Sequence, residues 1–216
     1  MPVILLAYLG VAMLWAWFAI DLLANTTVVA PPLSPRQQVI VLQIEDPTFL
    51  AHHGLSSADG QGLTTVSSAL VRDMLVTRDG LTGIQGLFQD VYRGVFNCCK
   101  RIDIGRDVMA LAVDARLPKA VQLQLYATNV YMGTMQGVQV RGLHRASQAY
   151  FGKPLDQLPE ADFIGLVGMI KAPNEFHPVA HPEAYALRRR NVASVVSGAC
   201  QAHGWFDTSY EHCQPK

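Results

Sequence analysis

The chain has 216 residues, enough for one good hydrophobic core, so a single globular domain is expected. Lys and Arg number 17 and Asp and Glu also 17, a balance that gives no bulk field to attract nucleic acid or an acidic polymer. Only 16% of residues are charged, against roughly 25% in ordinary soluble domains, and part of that shortfall sits at the N-terminus.

Val3 to Ile20, VILLAYLGVAMLWAWFAI, is 18 residues without a charge, the length and composition of a membrane-crossing helix. Trp15 and Trp17 fall near its end, where interfacial anchors sit. A cleaved signal peptide is the rival reading, but that needs a shorter apolar region behind a basic start. Here no Lys or Arg precedes the segment, and the best small-residue exit, VVA, is followed by Pro31. Residues 1–24 are therefore expected to be an uncleaved anchor. The Pro-, Ser- and Thr-rich stretch 25–38 reads as a linker, 39–200 as the domain and 201–216 as a tail.

Helical patterning dominates the domain, and the expected fold class is mainly α. QVIVLQI, ahead of Glu45, suits a strand or the start of a buried helix. TTVSSALVRDMLV opens on two threonines suited to capping, followed by apolar residues at helical spacing. RDVMALAVDARLPKAVQLQLYATNVYMG supports one or two helices, with Pro118 tolerated near the start of the second. LPEADFIGLVGMIKAP places Pro159 and Glu160 in a first turn and ends before Pro173. PEAYALRRRNVASVVSGACQAHG reads as a long helix closed by Gly204, with Arg188 to Arg190 on a solvated face. Of the four cysteines, Cys98 and Cys99 are adjacent and ill placed to bond each other. Cys200 and Cys213 suit a bridge if the domain lies outside the cytoplasm. With no CxxC pair, a zinc ribbon is not expected.

The stretch IEDPTFLAHHG, Ile44 to Gly54, sets two acids and two histidines around a short apolar run. Glu45 lies where the apolar run VIVLQI ends. Partial desolvation there raises a carboxyl pKa and makes the group a useful base. The plainer reading is an acidic helix terminus with satisfied surface histidines. A metal site from Glu45, His52 and His53 is disfavoured because adjacent histidines point apart.

Taken whole, EDPTFLAHHG fits E-D-x-x-F-x-x-H-x-G, which resembles the first signature of the peptidoglycan glycosyltransferases of family 51, the transglycosylase domains of class A penicillin-binding proteins and monofunctional cell-wall transglycosylases. GLTTVSSALVRDM resembles that family's G-G-S-T-I-T-Q-Q-L-x-K-N, with Thr64 and Thr65 at S-T. LQLYATNVYMG resembles L-E-x-Y-L-N-x-x-Y-x-G, keeping Tyr126, Tyr131 and Gly133. ASQAYFGKPLDQLPEADFIGLVGMIKAPNEFHP keeps Y-F-G-K and then G-x-x-K-A-P-x-x-x-x-P with Lys171, Pro173 and Pro178. RRRNVASVV resembles the closing R-R-N-x-V helix. The similarity runs from about Val39 to Val196.

The resemblance implies a lysozyme-like glycosyltransferase domain behind one transmembrane helix, in the bacterial inner (plasma) membrane, with its domain on the periplasmic or extracellular side. The implied partners are lipid II, the growing glycan strand, the membrane and penicillin-binding transpeptidases, with no nucleic acid. Glu45 would be the general base. Asp46 and His52 would hold its loop in the substrate site. Lys171, Thr64 and Thr65 would face the leaving pyrophosphate, with Arg141 within reach of it and Asn174 near sugar or capping the turn after Lys171. A divalent metal, Mg2+ or Mn2+, is a possible cofactor with no ligands assigned.

Several positions depart from the family pattern. Only LSSADGQ separates Gly54 from Gly62, where a longer insertion is usual. Ser68 and Ala69 replace two glutamines, and Thr128 replaces an asparagine. The third signature, R-K-x-x-E, is not recognisable. An ungapped count puts Ile102 and Asp103 at its basic pair and Arg106 at its glutamate. Lys100 and Arg101 are alternative sources of charge, and Asp103, Asp107 and Asp114 of the acid. Two other functions stay open: a catalytically impaired relative that binds lipid-linked glycan as a scaffold, and a lytic transglycosylase, although the latter typically has serine where Asp46 follows Glu45.

Overall fold

The computed structural model describes residues 2–27, 29–62, 64–96 and 104–213, and the side chains of all of these except 2, 26, 95 and 96. Cys98 and Cys99, together with Lys100, Arg101, Ile102 and Asp103 of the third signature, lie outside them.

The fold is mainly α. Helix α1 spans Pro2–Thr26, α2 Pro35–Glu45, and α3 Val66–Leu70, which continues as a π-helical turn over Val71–Val76. Next come α4 at Gly83–Phe96, α5 at Ile104–Arg116 and α6 at Lys119–Asn129. Strands β1 (Tyr131–Met135) and β2 (Val138–Arg141) pair antiparallel, and α7 (Leu143–Phe151), α8 (Glu160–Gly168) and α9 (Pro182–Val196) complete the order. QVIVLQI is thus helical. Ser34 caps α2 in a reciprocal box with Gln37, and Pro35 takes the first helical position, so the helix begins inside the stretch read as linker.

The hairpin went unpredicted. Its turn is Gln136-Gly137, both at positive φ (51° and 80°), as a two-residue hairpin turn requires, but Gln carries none of the Asn or Asp signal for that conformation. Helix α9 stops at Val196 rather than running to Gly204. Gly198, at φ +78°, turns the chain out of it.

Helix α1 contains the apolar run Val3–Asn25, with a mean hydropathy of 2.3. One face, Ala12, Trp15, Ala16, Ala19, Ile20 and Leu23, is buried and packs chiefly on α5, with further contacts to α4. Val3, Ile4, Leu6, Val11, Leu14 and Phe18 are exposed on the other side. Trp15 is therefore not an interfacial anchor. It stacks on Phe88 at 4.9 Å and donates from Nε1 to the Gln85 carbonyl at 3.1 Å. Trp17 lies under the Arg116 guanidinium, 4.9 Å from its centre.

The core of α2, α3, α5, α6 and α8 carries the site. Ile40, Val41 and Ile44 bury one face of α2, so its last residue, Glu45, emerges where the helix leaves the core. The loop after it turns back at Gly54, φ +96°, where a Cβ would meet the Ala110 carbonyl oxygen at 2.7 Å. Only glycine allows this approach to α5.

Candidate active site

Glu45 stands in a cleft of about 200 Å3 lined by residues from four parts of the chain: Gln61, Gly62 and Thr64 from the loop before α3, Ala69 and Arg72 from α3 and its π turn, Tyr126 from α6, and Lys171, Arg188 and Thr208 from the C-terminal half. Tyr126 donates its hydroxyl proton to Glu45 Oε2 at 2.9 Å. Burial pushes the Glu45 carboxyl from its ordinary 4.5 up to about 7, against the opposing pull of the Tyr126 hydrogen bond and the Arg188 and Arg72 charges. A carboxyl group titrating there is half ionised at neutral pH, the condition under which general-base transfer is most efficient. Burial and the neighbouring carboxylate raise the Tyr126 hydroxyl well above its ordinary value, so it stays a donor. Replacing Tyr126 with Phe is expected to raise the Glu45 pKa further, because the ionised form loses a charge-assisted bond. The rate should then fall roughly tenfold at pH 6 and little at pH 9, as a pH–rate profile would measure.

Lys171 closes the turn after α8 and lines this cleft. Its ammonium donates to Thr208 Oγ1. Burial lowers its pKa, and Arg188 adds to that effect, while Asp207, Glu211 and Glu175 oppose it. The cleft continues past Lys171 and Arg72 into a second lobe with Asp73, Tyr131, Gln139 and Arg141. Arg141 packs its guanidinium over Tyr131 at 5.7 Å. Thr64 lines the first lobe, and its carbonyl accepts from Gln61 Nε2 at 2.9 Å, which also donates to the Glu45 carbonyl at 3.0 Å.

The other expected site residues are supports. Asp46 is fully buried. His52 Nε2 sits 2.9 Å from both its oxygens, and the Val66 amide donates to it at 2.9 Å. Since His52 Nδ1 accepts from the Gly54 amide at 2.9 Å, the proton is on Nε2 and points at Asp46. The pair clamps the Glu45 loop to the start of α3, and neither residue lines the cleft. His52→Ala should cost about 2–3 kcal/mol, read by thermal unfolding, because it strips a donor from a buried carboxylate. Thr65 caps α3: its hydroxyl accepts from the Ser68 amide at 3.1 Å and donates to the Gly54 carbonyl at 2.6 Å. Ser68, in place of glutamine, completes that capping box. Asn174 ties the turn after Lys171 to the hairpin, accepting from the Thr134 amide at 3.0 Å and donating to Tyr131 at 3.1 Å. His53 is almost fully exposed.

Sequence reasoning assigned no role to Arg72, Tyr126 or Thr208 and misread Arg188. Arg72 occupies the K position of the second signature and Tyr126 the Y of the helix-end signature, so both were detectable. Arg188 is buried, not solvated. Its Nε donates to the Gly168 carbonyl at 2.9 Å, and one terminal nitrogen to the carbonyls of Thr208 (2.9 Å) and Ser209 (2.8 Å). Of the acids offered for the third signature, Asp107 and Asp114 line neither lobe. Asp114 instead accepts from Lys119 at 2.6 Å and Gln122 at 3.0 Å. Arg106, also on α5, lines neither lobe.

Among the described residues the carboxylates lining the two lobes are Glu45, which accepts from Tyr126, and Asp73, bound by Arg72 Nε and Nη2 at 2.9 and 3.2 Å; guanidinium and ammonium groups make up the rest of the charged lining.

A family model described as Transglycosylase matches residues 22–197. The chain belongs to the transglycosylase family. Its relatives include penicillin-binding protein 1B of Escherichia coli (strain K12), 32% identical over 155 residues, covering 70% of this chain and 17% of the relative. Penicillin-binding protein 1B of Haemophilus influenzae is 28% identical over 171 residues, covering 78% and 21%. Penicillin-binding protein 1A of Pseudomonas aeruginosa is 27% identical over 152 residues, covering 69% and 17%. The chain spans about a fifth of the length of these relatives. The transglycosylase match takes in Glu45, Arg72, Tyr126, Lys171 and Arg188 and ends before Thr208. In this transglycosylase domain the cleft sets the Glu45 carboxyl group among the cations of Lys171, Arg72 and Arg188.

Proposed function

We propose that this protein polymerises lipid II into β-1,4-linked glycan strands by inverting transfer. The observation that carries the reading is Glu45, held by Tyr126, in one cleft with Lys171, Arg72 and Arg188. The acceptor sugar's 4-hydroxyl attacks the anomeric carbon of the lipid-linked donor. As the new C–O bond forms, Glu45 takes the hydroxyl proton. The anomeric C–O bond to pyrophosphate breaks, and the lipid pyrophosphate departs with the electron pair toward Lys171, Arg72 and, in the second lobe, Arg141. These side chains supply compensating charge.

Both substrates carry long lipids, and the unpaired apolar face of α1 supports anchorage in the bacterial inner membrane, with the domain on the outer side where lipid II is used. Peptide cross-linking would fall to a penicillin-binding transpeptidase partner. The test mixes the purified full chain in detergent with lipid II. Glycan strands that vanish in Glu45→Gln are expected. Binding without turnover, or release of fragments from preformed cell wall, would overturn the reading in favour of a scaffold or a lytic enzyme respectively.

A further inference from the structure

Residues 200–213 lie beyond the stretch the family matches, which ends at 197, yet one of them, Thr208, lines the cleft. A disulfide joins Cys200 to Cys213, with Cα atoms 5.7 Å apart. Inside the loop so closed, Thr208 lines the cleft, its hydroxyl holds the Lys171 ammonium, and its carbonyl shares Arg188 with that of Ser209. The loop is laced to the short segment before α3. The Gly60 amide donates to the Gly204 carbonyl at 3.0 Å and the Gly62 amide to the Trp205 carbonyl at 2.8 Å. Both glycines have positive φ, and a Cβ on them would meet Ala202 Cβ at 2.9 Å and Thr208 Cγ2 at 3.1 Å. Tyr210 is buried under the Arg188 guanidinium, 5.1 Å from the ring centre. The loop thus packs against the segment that is short relative to the family pattern, and it contacts two of the cleft's cations.

We propose that the disulfide-closed loop of residues 200–213 is a working part of the pyrophosphate-binding side of the cleft, with Thr208 the positioning residue that holds Lys171 toward it. The proposal rests on the reading of Lys171 as a pyrophosphate ligand. A lysine ammonium ends a flexible four-carbon stem, and fixing such a side chain only when substrate arrives costs affinity. The Thr208 hydroxyl fixes it beforehand. The Cys200–Cys213 bond fixes the loop that carries Thr208.

The experiment titrates the full chain, in detergent micelles, with a polyprenyl pyrophosphate by calorimetry, which needs no turnover. Thr208→Val is expected to bind about tenfold more weakly, and Thr208→Ser within twofold of the parent. The alkaline loss of binding should also begin at lower pH in Thr208→Val. The hydroxyl oxygen favours charged Lys171, and the other charges near it, Arg188, Arg72, Asp207, Glu211 and Glu175, stay in place. Cys200→Ser/Cys213→Ser should weaken binding at least as much, since the Arg188 contacts loosen too. Equal affinity and an unmoved alkaline limb in Thr208→Val would overturn the proposal. So would a Thr208→Ser variant as weak as Thr208→Val, or a parent chain that does not bind the probe. If Thr208→Val fails to fold, unchanged affinity in the double cysteine variant overturns it instead. A parent that binds the probe but does not polymerise lipid II refutes the polymerase reading and leaves this one standing.

Discussion

Glu45→Gln is expected to lower lipid II polymerisation by about 10²–10⁴-fold, the usual contribution of a positioned general base, with the fold intact. Glutamine keeps an oxygen to accept from Tyr126, so the loss isolates the proton-accepting step. The parent rate should rise with pH and level off above about 7, where the Glu45 carboxyl becomes ionised. The variant should lose this acid limb along with its activity.

Stability should move the other way. The folded chain holds the Glu45 proton up to about pH 7, whereas the unfolded chain releases it near the ordinary 4.5. Between those values the native state binds more protons, so its stability falls as pH rises and the deficit is complete above 7. The gap corresponds to a penalty on the order of 3 kcal/mol, which Glu45→Gln removes. Denaturant unfolding at pH 8 should find the inactive variant more stable than the parent, and at pH 4 nearly equal to it. Equal stability at both pH values would mean that Glu45 is not desolvated as described.

Much of this site was legible because its chemistry sits in short, ordered signatures. Glu45, Thr64, Lys171 and Arg141 were all named from sequence, and all four line the two-lobed cleft. Asp46 and His52 carry the same signature but serve it from behind. Sequence registers that a residue is needed, not whether it faces substrate or the core. Arg188 was misread because three consecutive arginines look like a solvated face. What buries it is Tyr210 and the carbonyls of residues 208 and 209, contacts across 20 residues that no local pattern encodes. Trp15 shows the same failure: apolarity marked the helix, but only packing on α4 distinguished a ring stacked on Phe88 from one at a membrane interface.

Lys171→Gln is expected to reduce kcat/KM by about 10²–10³-fold, the cost of removing one preorganised group that stabilises charge developing on a leaving oxygen. The choice of Lys171 over its neighbours follows from how each cation is neutralised. Arg72 is paired in two-pronged fashion with Asp73, which offsets part of its charge and commits two of its five N–H groups. Arg188 is buried and donates to three backbone carbonyls, which commits three of its five N–H groups. Among the described residues Lys171 donates only to the Thr208 hydroxyl, a neutral partner, which leaves two further N–H groups for phosphate oxygens. Its lowered pKa, caused first by burial, means the free enzyme bears a desolvated ammonium that an arriving pyrophosphate relieves. Lys171→Gln should therefore lose little or no folding stability while losing most of its activity, and Lys171→Arg should recover part of the rate because charge returns with altered geometry. Steady-state kinetics on lipid II, with thermal unfolding of each variant alongside, measure both. A drop in activity that tracks a drop in stability, or a Gln variant as active as the Arg variant, would show that Lys171 shapes the cleft without carrying the leaving group's charge.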